Sequence, residues 1–401
     1  MRTTSETTSA RSFGTVRRLA AAATALTAVA ALALASSAAA EPAGRSAAGR
    51  DPAAGLRINQ LQTMATHNSY HREVSFKEVQ IQMQQDPGAA TLQYSHASLP
   101  VQLERQRVRG IELDVFPDPQ GGLYANPLIR KVAGLPALTD PDWKKPGFKV
   151  MHWGDFDYNT TCVTLAGCLR QVKQWSDAHG GPVTVPILME LKRTDPRLEE
   201  LGGAKSPPWD AAMLQALDDE IRTVFGEKEM VTPDDIRHKG KTLEQSVLKH
   251  GWPRVSAARG QVMFLMDNSD PAFQAPYLAG GHESLQGRVL FTNSRAGRPD
   301  AAFIAENDPT GPRQAYIQDL VKRGYFVRTR SDVPLIQATS GDTSQLRDAL
   351  SSGAQMISTD FPVPGLAARY GSDYVGELPH GATVRCNPVS GPAYCPRRLE
   401  P

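Results

Sequence analysis

Residues 109–115 read Arg-Gly-Ile-Glu-Leu-Asp-Val, an apolar run with acids set at alternate positions. Successive side chains of a strand point to opposite faces, so Glu112 and Asp114 share one face and Ile111, Leu113 and Val115 the other. Two neighbouring carboxylates repel and are costly to desolvate unless a proton or a cation lies between them. Oxygen donors of this kind suit calcium or magnesium better than zinc. By itself the stretch fits an edge strand with a wet acidic face equally well, so the decision rests on what other strands bring to the same place.

Outward from this stretch, apolar β-prone runs recur at Leu61–Thr66, Gly110–Val115, Lys149–Trp153, Val183–Leu191, Val262–Met266, Val289–Thr292, Phe326–Arg330 and Met356–Thr359. Helical patterns lie between most of them, at Leu99–Val108, Leu165–His179, Trp209–Phe225, Gln314–Arg323 and Ser344–Ser352. Eight strands alternating with helices predict an α/β fold with a parallel sheet closed as a (β/α)8 TIM barrel. A doubly wound open sheet is the rival, but no glycine-rich phosphate loop follows the first run. The stretch from Val115 to Lys149 is proline-rich and shows no clear helix, so the barrel is expected to be irregular there.

The flanks have other roles. Residues 1–40 run from a basic stretch ending at Arg17-Arg18, through Leu19–Ala35, to Ser36-Ser37-Ala38-Ala39-Ala40. That order is a secretory signal peptide, with an uncleaved anchor as its alternative. Residues 41–55, rich in Ala, Gly and Pro, read as a disordered linker. Residues 56–370 carry no boundary signal and read as one catalytic domain, with 371–401 a cysteine-stapled tail. Export places the four cysteines in an oxidising compartment. Of three possible connectivities the two local ones, Cys162 with Cys168 and Cys386 with Cys395, are favoured. A net charge of +2, with both signs interspersed, gives no reason to expect a nucleic-acid partner, and no stable protein partner is expected.

Polar residues collect where the runs end: His67-Asn68-Ser69, then Glu112 and Asp114, His152, Glu190 with Lys192, Asp267-Asn268, Arg328 with Arg330, and Asp360. Barrel active sites form at the carboxyl ends of the strands. Each residue has a plain alternative: a turn or core histidine, a solvated arginine stripe, a Glu190 paired only with Lys192. Together at one rim they make a working site.

The motifs Met64–Tyr70 (MATHNSY), Arg109–Val115 (RGIELDV), Val150–Gly154 (VMHWG) and Ile187–Lys192 (ILMELK) resemble, in this order, the catalytic barrel of calcium-dependent phosphoinositide-specific phospholipases C, above all the secreted actinobacterial-type branch. The resemblance runs from Ile58 to Tyr370. It implies a PLC-like phosphodiesterase barrel with Ca2+ held by Asn68, Glu112, Asp114 and Glu190, a catalytic pair His67 and His152, and substrate contacts from Lys192 and, more loosely, Arg330. The implied partner is a phospholipid at a membrane surface, cleaved to diacylglycerol and a cyclic or open inositol phosphate. In that scheme Glu112 also helps to activate the attacking hydroxyl, His67 contacts the phosphoryl group and His152 protonates the leaving group. The accessory lipid-binding domains of the large eukaryotic enzymes are not expected in this chain, so polyphosphorylated headgroups are not expected as preferred substrates. Glycerophosphodiester phosphodiesterases and sphingomyelinase D-type barrels are the nearest rivals, but their first motif reads His-Arg-Gly where this chain has His67-Asn68-Ser69. A catalytically dead headgroup-binding barrel is the remaining reading, and no expected ligand or histidine is missing.

Overall fold

The computed structural model describes residue 51 and residues 53–400. The signal peptide expected over 1–40, and most of the linker expected over 41–55, lie outside the described residues. The described end of that linker is packed rather than loose. The Arg259 guanidinium donates to Asp51 through Nε at 2.6 Å, and Ala53 is fully buried in the main core. The packed chain therefore begins upstream of residue 56. Among the described residues no helix is long and apolar enough to cross a membrane.

Among the described residues ten strands form two five-stranded sheets: β1 Leu61–Thr66, β2 Ile111–Asp118, β3 Gly147–Val150, β4 Val185–Leu191, β5 Val262–Met266, β6 Leu290–Thr292, β7 Phe303–Ala305, β8 Phe326–Arg330, β9 Met356–Thr359 and β10 Val384–Cys386. One sheet has the order β10-β1-β9-β8-β7, the other β3-β2-β4-β5-β6. All ladders are parallel except those that add the edge strands β10 and β3. Single parallel bridges, Ala65 to Gly110 and Asn293 to Phe303, join the sheets at two seams. The eight parallel strands thus follow one another in the cyclic order β1-β2-β4-β5-β6-β7-β8-β9, with ladders that are continuous within each half and reduced to one bridge at each seam.

Membership of that cycle differs from the sequence expectation in one place. The run around Lys149 is not a parallel strand: β3 pairs antiparallel with the far end of β2, from Val115↔Val150 to Asp118↔Gly147. The eighth parallel strand is β7, only three residues long and preceded by Gly297-Arg298-Pro299, too short for alternation to show. The proline-rich stretch between β2 and β3 contains a short helix, Leu128–Val132, and a 3-10 turn, Pro141–Lys144. The other predicted helices form with small changes of boundary, at Leu99–Arg105, Leu165–Ala178, Ala211–Arg222, Pro312–Arg323 and Ser344–Ser352.

The faces of β2 separate as the alternation requires. Ile111, Leu113 and Val115 lie in the main core with Leu169 and Val172 of the helix Leu165–Ala178, and burying each such side chain stabilises the fold by roughly 1.5–3 kcal/mol. The other face turns inward, where Glu112 meets Arg328 of β8, a strand of the other sheet. Both local disulfides form, Cys162 with Cys168 and Cys386 with Cys395. The expected tail is part of the domain: β10 pairs with β1, and Glu400 receives two hydrogen bonds of 2.8 Å from Arg109.

Candidate active site

The loop after β1 is bound directly to β2. The Ser69 amide donates to the Glu112 carbonyl at 3.0 Å, and the Glu112 amide donates to the Ser69 hydroxyl at 2.8 Å. Asn68 sits between, buried, with φ of 46°. Asparagine tolerates this left-handed conformation better than most residues, and the turn sets His67 and Asn68 over the carboxyl end of the cycle.

Beneath them lie the acids. Single oxygens of Glu112, Glu190 and Asp267 are all within 4.8 Å of one another. Asp267, which follows β5, stands in the sequence pattern as one of the polar strand ends, but nothing there marks it as a ligand. Burial, against the pull of Arg328, raises the Glu112 carboxyl to about 8. Burial also raises Asp114 well above the ordinary range, opposed by Lys192 and reinforced by Glu190 and Glu112. Asp267 is raised for the same chief reason. Both Asp114 oxygens are buried without a hydrogen-bond partner, although the Lys192 ammonium lies 3.2 Å from one of them. Such a group of acids stays ionised at neutral pH only with added positive charge. Calcium, which takes six to eight oxygen ligands, fits this donor set. Glu112, Glu190 and Asp267 would hold it, with Asp114 beside them. Asn68 adjoins the group through Tyr70, whose hydroxyl donates to Asn68 Oδ1 at 3.3 Å. Burial first, then Asp114, Glu112 and Glu190 among its neighbours, push that phenol well above its usual range.

His67 is fixed by Asp360, which follows β9. Nδ1 lies 2.7 Å from Asp360 Oδ1 and, since a carboxylate only accepts, Nδ1 carries the hydrogen. Burial and the nearby Arg330 and Arg328 hold the ring well below the usual histidine range, so it is neutral. Nε2 then bears a lone pair and lies 3.7 Å from Glu112 Oε1. The Arg330 guanidinium lies against the imidazole, 3.3 Å from each ring nitrogen, and donates to Asp360 Oδ2 at 3.1 Å.

His152 is oriented in the same way. Its Nδ1–H donates to Asp157 Oδ2 at 2.9 Å, and Nε2 makes no hydrogen bond among the described residues. The same carboxylate oxygen accepts from His71 Nε2 at 2.8 Å, while His71 Nδ1 donates to the Tyr94 carbonyl at 3.0 Å. With acceptors at both nitrogens His71 is an imidazolium. Burial works against that charge, but Asp157 outweighs it and raises the ring. The Asp157 carboxyl lies well below the ordinary range, burial being outweighed by the two histidines.

A cleft of about 880 Å³ opens at this rim, lined by His152, Glu190, Lys192, Arg193, Asn268 and Phe273 among others. The Lys192 ammonium bridges Asp114 and Glu190 at 3.2 and 3.1 Å, and burial, outweighed by those two acids, leaves it raised. Lys192 therefore faces the cleft already paired. Arg330 is likewise engaged with Asp360 and His67. Arg328, whose sequence pattern also fits a solvated stripe, is buried on Glu112.

The fold thus brings Glu112, Asp114, Glu190 and Lys192 into one cluster and sets His67 and His152 on carboxylate partners. Asp267, Arg328, Asp360 and Asp157 complete the arrangement. The first three are marked in the sequence only by position at or just past a strand end, which many surface residues share, and Asp157, seven residues beyond β3, is not marked at all.

The family description "Phosphoinositide phospholipase C, Ca2+-dependent" matches residues 56–388. No curated protein matches. Among solved structures, an apo calcium-dependent phosphoinositol-specific phospholipase C from the Gram-negative bacterium Pseudomonas sp. is 15% identical, covering 84% of this chain and 96% of its own, with a TM-score of 0.49. A calcium-dependent phosphatidylinositol-specific phospholipase C from Streptomyces antibioticus is also 15% identical, covering 76% and 95%, with a TM-score of 0.47.

Proposed function

The chain belongs to the calcium-dependent phosphoinositide phospholipase C family, and from that premise we propose that it cleaves phosphatidylinositol at a membrane surface through His67, His152 and the carboxylates around Glu112. The observation that carries the residue assignment is the pairing of two oriented histidines with one acid cluster: His67 Nε2 lies 3.7 Å from Glu112, and His152 shares its cleft with Glu190.

The reaction is attack of an inositol ring hydroxyl on the adjacent phosphorus. One P–O bond forms, the bond to the diacylglycerol oxygen breaks, and a cyclic inositol phosphate results that water can open. Neutral His67, its other nitrogen committed to Asp360, offers Nε2 to the hydroxyl proton, with Glu112 beside it. That is a base's geometry, whereas the phosphoryl contact expected of His67 would need a hydrogen on Nε2. His152 presents Nε2 to the cleft and gives a proton to the departing oxygen, its ring held in place by Asp157. Bound calcium supplies positive charge for the phosphoryl oxygens. Arg330 and Lys192 hold fixed positive charge near the same place.

Export is part of the same reading. The basic, apolar and small-residue order of residues 1–40 and the two disulfides support a secreted enzyme. The decisive experiment is hydrolysis of phosphatidylinositol with and without a calcium chelator, the water-soluble product being identified. Diacylglycerol with an inositol phosphate, released only with calcium, is the expected result. Turnover that survives chelation would overturn it.

A further inference from the structure

A second cavity, of about 560 Å³, is lined by none of the acids of the candidate site. It is bounded by the helix Pro271–Leu278, the loop after β6, the end of β7 and Tyr316 of the helix Pro312–Arg323. Hydrogen bonds join its wall to the catalytic rim. Asn293 Nδ2 donates to the Asp267 carbonyl at 2.8 Å, and Gln274 Nε2 donates to the carbonyls of Asn268 and Asn293 at 2.8 and 2.7 Å.

The lining is polar and carries unused donors. Ser294 is 4% exposed, and its hydroxyl has no hydrogen-bond partner. Leaving such a group unsatisfied is costly. Arg295 lines the same cavity, and among the described residues its side chain makes neither a hydrogen bond nor an ion pair. Arg298 lies 3.2 Å from Asp300 and keeps further donors. The acid in the wall, Glu306, is engaged by Arg313 at 3.0 Å. Two guanidinium groups exclude a cation, and the orphaned hydroxyl disfavours an apolar occupant. A phosphate group answers both, because its oxygens accept from the serine O–H and from a guanidinium fork.

We infer that this pocket binds a dianionic phosphate group, either free phosphate or the monoester headgroup of an anionic lipid lying beside the substrate in the same leaflet. The lipid source rests on the proposed function; phosphate binding itself does not.

Two measurements test it. The first is calorimetric titration of inorganic phosphate into the calcium-free protein, wild type against Arg295→Gln and Ser294→Ala. Arg295→Gln should weaken binding roughly tenfold, the scale of one charge-assisted hydrogen bond. The second is hydrolysis of phosphatidylinositol in phosphatidylcholine vesicles doped with either phosphatidic acid, a monoester, or phosphatidylglycerol, a diester. Greater stimulation by phosphatidic acid in the wild type, lost in Arg295→Gln, identifies the lipid headgroup. Phosphate binding with equal stimulation by both lipids identifies free phosphate. No phosphate binding with no preference for phosphatidic acid overturns the inference, as does an unchanged response in both variants at unchanged melting temperature. Monomeric short-chain phosphatidylinositol should be hydrolysed at the wild-type rate by Arg295→Gln. Failure of the wild type on that substrate would sink the proposed function and leave the phosphate titration to decide the pocket.

Discussion

Arg328 donates through one guanidinium nitrogen to Glu112 Oε2 at 2.8 Å, across 216 positions of sequence and between strands of different sheets. Both side chains are almost fully buried, at 1% and 2% exposure. The pair sets the electrostatics of the site floor, since Arg328 opposes the burial that raises Glu112. Breaking a buried pair from one side leaves an uncompensated charge and costs about 3–5 kcal/mol. An acid escapes part of that cost by taking up a proton. Arg328→Met should therefore destabilise the calcium-free protein more at pH 9 than at pH 6, approaching the full amount only at the higher pH. Denaturant titrations at both values would show it, and an equal loss at each would refute the coupling.

Calcium and protons should compete for the same carboxylates. Glu112 titrates at about 8 in the folded protein, against an ordinary value of 4.5. The folded state thus keeps a proton that the unfolded chain gives up. This contribution to stability is complete below pH 4.5 and is lost as pH climbs to about 8. Calcium binds the ionised form, so affinity should rise with pH through this window and binding should release protons. Calorimetry in buffers of different ionisation enthalpy measures that release. None at pH 7 would mean that the cluster is already ionised.

Asp267 is the acid that the sequence motifs did not mark. Asp267→Asn should raise the calcium concentration for half-maximal activity by about tenfold, or about 1.4 kcal/mol of binding. High calcium should recover most of the rate. An unchanged calcium requirement would remove Asp267 from the ligand set.

The histidine on Asp157 should behave differently. His152→Ala is expected to lower kcat by about 10²–10⁴, the usual worth of a positioned proton donor. Excess calcium should recover none of it. A variant that regained its rate in calcium would assign His152 to the ion's surroundings rather than to proton transfer.

The disulfide in the final segment should matter for stability alone. Cys386 ends β10, which pairs with the first half of β1 from Leu61 to Thr63, while His67 follows the other end. Replacing Cys386 and Cys395 together by Ser should cost about 2–3 kcal/mol in the chain-entropy account. The melting temperature should fall and kcat at 25 °C should hold. A parallel loss of kcat would show that β10 positions the site.

Local periodicity explains what the sequence by itself determined. Alternation placed Glu112 and Asp114 on one face of β2, strand-helix spacing located seven of the eight parallel strands, and short separations favoured both disulfides; each of these is set within a few residues of chain. Tertiary structure decided the rest. It turned the Lys149 run antiparallel, made a strand of Phe303–Ala305, and brought Asp267, Arg328, Asp360 and Asp157 onto the residues they serve. It also engaged Lys192 with Asp114 and Glu190 before any substrate arrives. The physical reason is range. A side chain's face follows from its neighbours in sequence, whereas charge partners and proton affinities depend on which strands meet across the interior, and that is fixed only once the two sheets abut.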